Sequence, residues 1–343
     1  MSPSVIDKYF LPLKNRDVFS ITENFYIDIS MVCNLNCRYC NIVKLQKYRE
    51  VLTFDKFEVV IKNIDPNKAY NITFYGGEPL IFLKELVLMI ELLKKINPQN
   101  KISVFTNGIL INETVEKLAK SGVINLIISL DGEKTINDMN RKYKYNKKSV
   151  YKDVISNLKK YSLFEYSNVN VVISLNNYKY LEKSLSHLVE LGFKNINFDI
   201  DYTAKWSDFD LKNLRIKILS IVKKYFSDIK NGKKYCISNF FRNPVKKNNN
   251  VRYLFLMPDG NFYYSEYVRF IDYKNHKQEI LKFFERLARY DNMSINEIVS
   301  GICMYILHKG KINFDIFIKI EKMMKEILNK FTFDYENTGW NRK

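Results

Sequence analysis

Cys33, Cys37 and Cys40 stand in the spacing Cys-x3-Cys-x2-Cys, inside the stretch Met31-Val-Cys-Asn-Leu-Asn-Cys-Arg-Tyr-Cys-Asn. Thiols packed this closely suit a metal better than a disulfide framework, and three thiolates can hold three corners of a cubane iron–sulfur cluster. Such a cluster ordinarily takes four cysteines, so three on one short loop either await a distant fourth or leave one iron open to an outside ligand. Zinc is the alternative occupant, but it would want a fourth ligand, and none of the chain's three histidines lies near the triad. Three further groups could meet a ligand. In Gly76-Gly77-Glu78-Pro79 the paired glycines let backbone approach closely and the carboxylate can accept from an ammonium group. Thr106-Asn107-Gly108 and Ser129-Leu130-Asp131-Gly132 follow, with Arg141 ten residues beyond the aspartate.

The elements that must position these residues can be read from hydrophobic period. Short runs rich in β-branched and aromatic residues fall at Phe25–Ile29, Asn71–Tyr75, Ile102–Phe105, Asn125–Leu130, Asn170–Ser174 and Asn195–Ile200. Between them, apolar residues at three- and four-residue spacings predict helices near 55–63, 83–96, 112–120, 149–160, 178–190 and 210–230. Six βα units predict an α/β protein built as a partial, open (β/α)6 TIM barrel, because the text after residue 231 supplies no further pair. Each candidate group then falls just after a strand, at the barrel end where active sites gather. Residues 1–23 read as an N-terminal extension, 24–230 as the barrel, and 231–343 as a C-terminal region with a hairpin around Pro258-Asp259-Gly260 followed by helices.

Composition bounds the rest. The chain has 343 residues, 46% of them hydrophobic, with no apolar run long enough to cross a membrane and no signal-peptide core, so a soluble, cytoplasmic protein is expected. Five cysteines, three of them within eight residues, fit a reducing compartment. The formal charge of +18 suits an acidic partner, but the lysines scatter through the chain and are not gathered on a nucleic-acid motif, so nucleic acid is disfavoured.

With these motifs in this order, residues 24–200 resemble the radical S-adenosylmethionine enzymes. The resemblance implies one 4Fe-4S cluster on Cys33, Cys37 and Cys40, with the methionyl amine and carboxylate of S-adenosylmethionine on the open iron. It also implies an external electron donor such as flavodoxin or ferredoxin, and cleavage of the sulfonium to a 5'-deoxyadenosyl radical that abstracts a substrate hydrogen. Gly76, Gly77, Glu78 and Pro79 match the family motif that meets the methionyl amine, and Asn107 joins the implied cofactor contacts. Ser129 and Arg141 match positions that contact ribose and carboxylate in the peptide-modifying branch. That branch reads much like Ile-Ser-Leu-Asp-Gly followed by Asp-x-x-Arg, here supplied by Asp131, Asp138 and Arg141. For Arg141 a surface ion pair is the competing reading. Tyr39 resembles the aromatic beside the adenine, a role compatible with packing on the loop. Tyr75 departs from the polar residue that relatives often carry before the paired glycines.

The peptide-modifying branch includes sulfatase-maturating enzymes and ribosomal-peptide maturases, most with a cysteine-rich C-terminal domain that holds extra clusters. This chain resembles their hairpin at Pro258-Asp-Gly-Asn-Phe-Tyr-Tyr-Ser-Glu-Tyr, but Ser265 stands where a cluster cysteine would. Only Cys236 and Cys303 remain downstream of residue 200, so no auxiliary cluster is expected. By the same resemblance Glu266, one position after Ser265, stands where sulfatase-maturating relatives have an aspartate proposed as a catalytic base; the alternative is an exposed strand carboxylate beside Arg269. Cys303 could donate a hydrogen atom to a substrate radical or serve as a small core hydrophobe, and Cys236 has the same alternatives. Asp199 and Asp201 share a face, so both line the barrel mouth or neither does. A peptide or protein is the expected substrate. Radical chemistry on a small molecule such as a nucleotide or antibiotic precursor, and nucleic-acid modification, are the alternatives.

Overall fold

Alternating apolar residues draw six segments into parallel strands: β1 Asn24–Asp28, β2 Asn71–Tyr75, β3 Lys101–Thr106, β4 Asn125–Ser129, β5 Ser167–Ile173 and β6 Asn195–Ile200. A computed structural model describes residues 9–13, 18–42, 48–241 and 253–265, with scattered helical residues between 275 and 327. Among these residues the six strands are joined by three short ones, β7 Cys236–Ile237, β8 Leu254–Leu256 and β9 Phe262–Tyr263, in one mixed sheet ordered β7-β6-β5-β4-β3-β2-β1-β8-β9. Consecutive strands lie side by side, and right-handed crossovers then place every connecting helix on the same face. The burial pattern agrees. In β2 through β4 the residues toward the helices, such as Ile72, Phe74, Val104, Leu126 and Ile128, are fully buried, while Thr73, Tyr75, Phe105, Ile127 and Ser129 between them are half-buried on the helix-free face.

The covering helices are α1 Phe54–Ile61, α2 Leu83–Ile96, α3 Glu113–Lys120, α4 Lys134–Asn140, α5 Val150–Lys160, α6 Leu181–Glu190 and α7 Asp208–Lys230. Their starts are encoded locally. Thr53, Asn112, Ser149 and Ser207 each accept a backbone N–H of the first turn, and Ser207 with Asp210 completes a reciprocal capping box. α2 buries Leu86, Met89, Ile90 and Leu93 on one stripe, each worth roughly 1.5–3 kcal/mol relative to exposure.

The open-barrel expectation holds, with one correction to the strand count. The C-terminal region adds two short parallel strands, β7 Cys236–Ile237 beside β6 and β8 Leu254–Leu256 beside β1. β7 is illegible in the sequence because two residues show no period; β8 is the first strand of the expected hairpin, and only its pairing with β1 has no local signal. β8 turns through Pro258-Asp259-Gly260 into β9 Phe262–Tyr263, the antiparallel hairpin expected there. This hairpin continues the main sheet: Phe255 lies opposite Tyr26 in register and stacks on it at 5.2 Å. No β7–β9 pairing closes the ring among the described residues.

Candidate cluster and cofactor site

The cysteine loop leaves the end of β1 and is fastened on two sides. On one side, Gly77 N–H donates to Ser30 O and Glu78 N–H to Val32 O, so the glycine motif runs alongside the loop's entry. On the other side, the loop pairs with the segment that follows α4. Asn36 N–H donates to Lys142 O, Arg38 N–H to Asn140 O and Lys144 N–H to Asn34 O, around an antiparallel bridge between Leu35 and Tyr143. Between these two straps sit Cys33, Cys37 and Cys40, all half-buried. Burial pushes the Cys33 thiol up to about 12, opposed by the Leu35 backbone N–H. Burial likewise pushes Cys37 up to about 12, opposed by the Arg141 guanidinium and by a hydrogen bond from the Lys142 backbone. Among the described residues no three His, Cys, Asp or Glu side chains converge on a single-ion site. A cubane does not ask for that convergence, since its three thiolates bind three different irons.

The glycine motif is sterically exacting. Gly76 has φ +105°, and a Cβ on Gly77 would lie 2.1 Å from the Val32 carbonyl oxygen. Only a bare backbone fits this approach. The Glu78 side chain is 1% exposed. Its Oε1 accepts from Leu80 N at 3.0 Å and Thr106 Oγ at 2.8 Å, and its Oε2 from Asn107 N at 2.7 Å. Burial raises the carboxyl to about 7, against the pull of those three donors. Glu78 therefore ties the end of β2 to the end of β3, and Oε2 keeps acceptor capacity for one further donor. Pro79 begins the 3-10 turn Pro79–Phe82, for which Glu78 is the N-cap. Asn107 reaches the loop itself, donating to Asn34 Oδ1 at 2.7 Å and lying 3.9 Å from Cys33 Sγ.

A second buried cluster closes the far side. Asp131 is 0% exposed and Arg141 5% exposed, and they pair at 2.9 Å. The surface-ion-pair alternative for Arg141 is thus overturned. Asp131 Oδ1 also accepts from Val172 N at 3.0 Å, and Oδ2 accepts from the Tyr39 hydroxyl at 2.7 Å. Burial raises the Tyr39 phenol well above its usual value, and burial also opposes the charge on Arg141, but the Asp131 carboxylate holds the guanidinium firmly protonated. The guanidinium lies 5.4 Å from the Tyr39 ring centroid, and its buried Nε has no hydrogen-bond partner among the described residues. The geometry makes Asp131 the hub that joins the cysteine loop, β5 and Arg141; its carboxylate is engaged with protein rather than turned to a ligand.

Ser129 is on the helix-free face of β4, opposite Asn170. That face carries an aromatic wall, with Tyr75 edge-on to Tyr26 at 5.8 Å and to Phe105 at 5.4 Å. The residue that departs from relatives thus packs into this wall. Across from it, Asp199 is exposed on the same face of β6. Asp201 lies past the strand and accepts from Thr203 N and Oγ, so the expected shared role of the two aspartates does not hold. Cys303 is 0% exposed and belongs to the hydrophobic core, where burial raises its thiol well above the usual value. Cys236 is half-buried on β7 and Ser265 is fully buried, while Glu266 lies outside the described residues.

Sequence reasoning missed α4. Its residues Lys-Thr-Ile-Asn-Asp-Met-Asn carry no apolar period, yet Asn137 Oδ1 accepts from Asp131 N at 3.1 Å and Asn140 donates to Ser174 Oγ at 2.9 Å. The fixed ten-residue interval from Asp131 to Arg141 was the available signal.

These straps and cradles sit at one end of an open parallel barrel, the architecture of radical S-adenosylmethionine enzymes. Residues 27–188 match the family model described as Radical SAM superfamily, and this part of the chain is a domain of that family. A cysteine-type anaerobic sulfatase-maturating enzyme of Clostridium novyi (strain NT) is 30% identical over 184 residues, 48% of this chain and 47% of that protein. A GTP 3',8-cyclase of Clostridium botulinum is 36% identical over 115 residues, 32% of this chain and 35% of that protein. Among solved structures, anSMEcpe with bound AdoMet superposes with a TM-score of 0.55 at 26% identity, over 64% of each chain. The same protein with AdoMet and the Cp18Cys peptide gives 0.54 at 25% identity, again over 64% of each. The chain thus spans less than half the length of these two curated relatives.

The residues present fit the family's groups. Three half-buried thiols face no competing disulfide, the bare Gly77 backbone lies close against the Val32 carbonyl at the entry of their loop, and Arg141 offers an unpartnered buried Nε.

Proposed function

We propose that this chain is a single-cluster radical S-adenosylmethionine enzyme that abstracts a hydrogen atom from a peptide or protein. When bound, a 4Fe-4S cluster and S-adenosylmethionine supply the one-electron cleavage that yields a 5'-deoxyadenosyl radical. Cys33, Cys37 and Cys40 would hold the cluster, and the Gly76-Gly77 backbone with Glu78 Oε2 would receive the cofactor's amine. Arg141 would meet a carboxylate or ribose oxygen through its Nε, with its charge fixed by Asp131. Tyr39, held by the same aspartate, sets the far edge of the loop. Ser129 opens toward the helix-free face, where the aromatic wall of Tyr26, Tyr75 and Phe105 would exclude water from a substrate. A reducing, cytoplasmic setting suits three thiols outside any disulfide.

The observation that carries the peptide reading is the likeness to anSMEcpe, which covers 64% of this chain and whose solved forms include one with a peptide. A small-molecule reading has support of its own in the GTP 3',8-cyclase similarity, but that similarity is confined to 32% of this chain. Anaerobically reconstituted protein, given S-adenosylmethionine and reductant, is expected to form 5'-deoxyadenosine faster with a candidate peptide than with GTP. Stimulation by GTP alone, with a modified nucleotide as product, would reverse the assignment.

A further inference from the structure

The outer strap of the cysteine loop carries an unusual surface. From Lys142 to Lys152 the sequence reads Lys-Tyr-Lys-Tyr-Asn-Lys-Lys-Ser-Val-Tyr-Lys, without a carboxylate. Lys142, Lys144, Lys147, Lys148 and Lys152 are all exposed, as is Arg38 on the loop beneath them, and Tyr145 is 85% exposed with Lys144 over its ring. The flanking carboxylates are turned to other tasks. Asp138 accepts from Ser149 Oγ and the Tyr151 backbone and pairs with Lys134, while Asp153 accepts from the Tyr143 hydroxyl. These bonds, with the Leu35–Tyr143 bridge, fix the strap at both ends.

The strap is also coupled to the metal loop. The backbone N–H of Lys142 bonds the Cys37 thiol, and its carbonyl accepts from Asn36. A protein seated on these lysines would be separated from Cys37 by one layer of backbone. The strap joins the end of α4 to the start of α5.

We infer that the strap Lys142–Lys148, with Arg38, is the docking surface for a small acidic ferredoxin-type carrier that delivers the electron through the Cys37 side of the loop. This rests on the proposed cluster at Cys33, Cys37 and Cys40. In the step, one electron leaves the carrier's reduced iron–sulfur centre and enters the cluster; the carrier is oxidised by one, the cluster is reduced by one, and no bond forms or breaks. Positive charge over the entry point steers an acidic partner and fixes its orientation, and exposed Tyr145 supplies an apolar contact within the charged rim. An acidic substrate peptide would use the same charge, but would gain nothing from proximity to Cys37.

The test compares two reductants on the reconstituted enzyme. In Lys144→Glu/Lys147→Glu/Lys148→Glu, cluster reduction by a photoreduced acidic ferredoxin is expected to slow on the order of 10-fold or more at low ionic strength, and the deficit should shrink as salt is added. Reduction by dithionite should be unchanged, which also reports that the cluster and fold are intact. Should the triple reversal fail to fold, Lys144→Gln/Lys147→Gln/Lys148→Gln should show a smaller slowing in the same direction. A control reversal at the opposite end of the barrel, Lys101→Glu/Lys234→Glu, should leave the ferredoxin rate near wild type. The docking assignment is overturned if the ferredoxin rate stays within about twofold of wild type, if the control slows it equally, or if only the peptide KM moves. If the wild-type enzyme holds no cluster that dithionite can reduce, the cluster reading itself fails, and this inference with it.

Discussion

At the scale of single residues, two contacts carry the site. Asp131 and Arg141 form a buried pair whose aspartate also receives Tyr39 and Val172. Removing one member of such a pair strands the other's charge, so Asp131→Ala should cost about 3–5 kcal/mol in urea unfolding. Arg141→Met would test the same pair from the other side and should cost comparably; a loss below about 1 kcal/mol in both would mean that the pair is not buried in solution. Gly77 is constrained by space alone, with a would-be Cβ 2.1 Å from the Val32 oxygen. Gly77→Ala must push the cysteine loop outward, at about 1–3 kcal/mol for overpacking, and should lower both the melting temperature and the iron retained after desalting. Normal iron retention in that variant would show that the glycine motif and the loop are independent.

At the scale of elements, the site depends on ties between strand ends. Glu78 clamps β2 to β3 through Thr106 and Asn107, and its carboxyl is raised by burial from 4.5 to about 7. Below 4.5 the group is protonated whether the chain is folded or not. Between 4.5 and about 7 the folded apo-protein keeps a proton that the unfolded chain has lost, so stability falls as pH rises through that window and levels off above it. The total is up to about 3 kcal/mol, and Glu78→Gln should flatten it in a series of urea midpoints from acid to neutral pH. An unchanged slope in the variant would place the titration elsewhere. Strands β1–β6 were legible because each alternates a helix-facing apolar residue with one turned to the open face, and α2 and α5 because their apolar stripes repeat at helical spacing. The cysteine triad and the glycine motif were legible from residue type and spacing alone. The Asp131 hub was not, since it joins Tyr39, Asp131 and Arg141 across three segments that no local pattern links. Nor was α4, whose asparagines act by hydrogen bonding rather than by apolar burial. Asp201 shows the limit of strand parity: one residue past the strand end, its carboxylate serves a turn instead of the mouth.

At the scale of the whole molecule, the open sheet carries its described connecting helices on one face, and the cysteine loop, the glycine motif and the Asp131 hub gather around one end of it. No described helix is long and apolar enough to cross a membrane. The C-terminal hairpin extends the sheet beside β1 with Phe255 stacked on Tyr26, and Ser265 just after it is buried. The single cluster proposed for this chain rests on its cysteines: beyond Cys33, Cys37 and Cys40 only Cys236 and Cys303 remain. The most direct test joins iron content to product. Protein reconstituted anaerobically with iron and sulfide should bind about four irons per chain, the content of one cubane. With dithionite and S-adenosylmethionine it should release 5'-deoxyadenosine and methionine, and Cys37→Ala should abolish both the cluster and that product. An unaltered iron content and product yield in Cys37→Ala, or a fully loaded wild-type protein that forms no 5'-deoxyadenosine with any peptide or nucleotide supplied, would contradict the account.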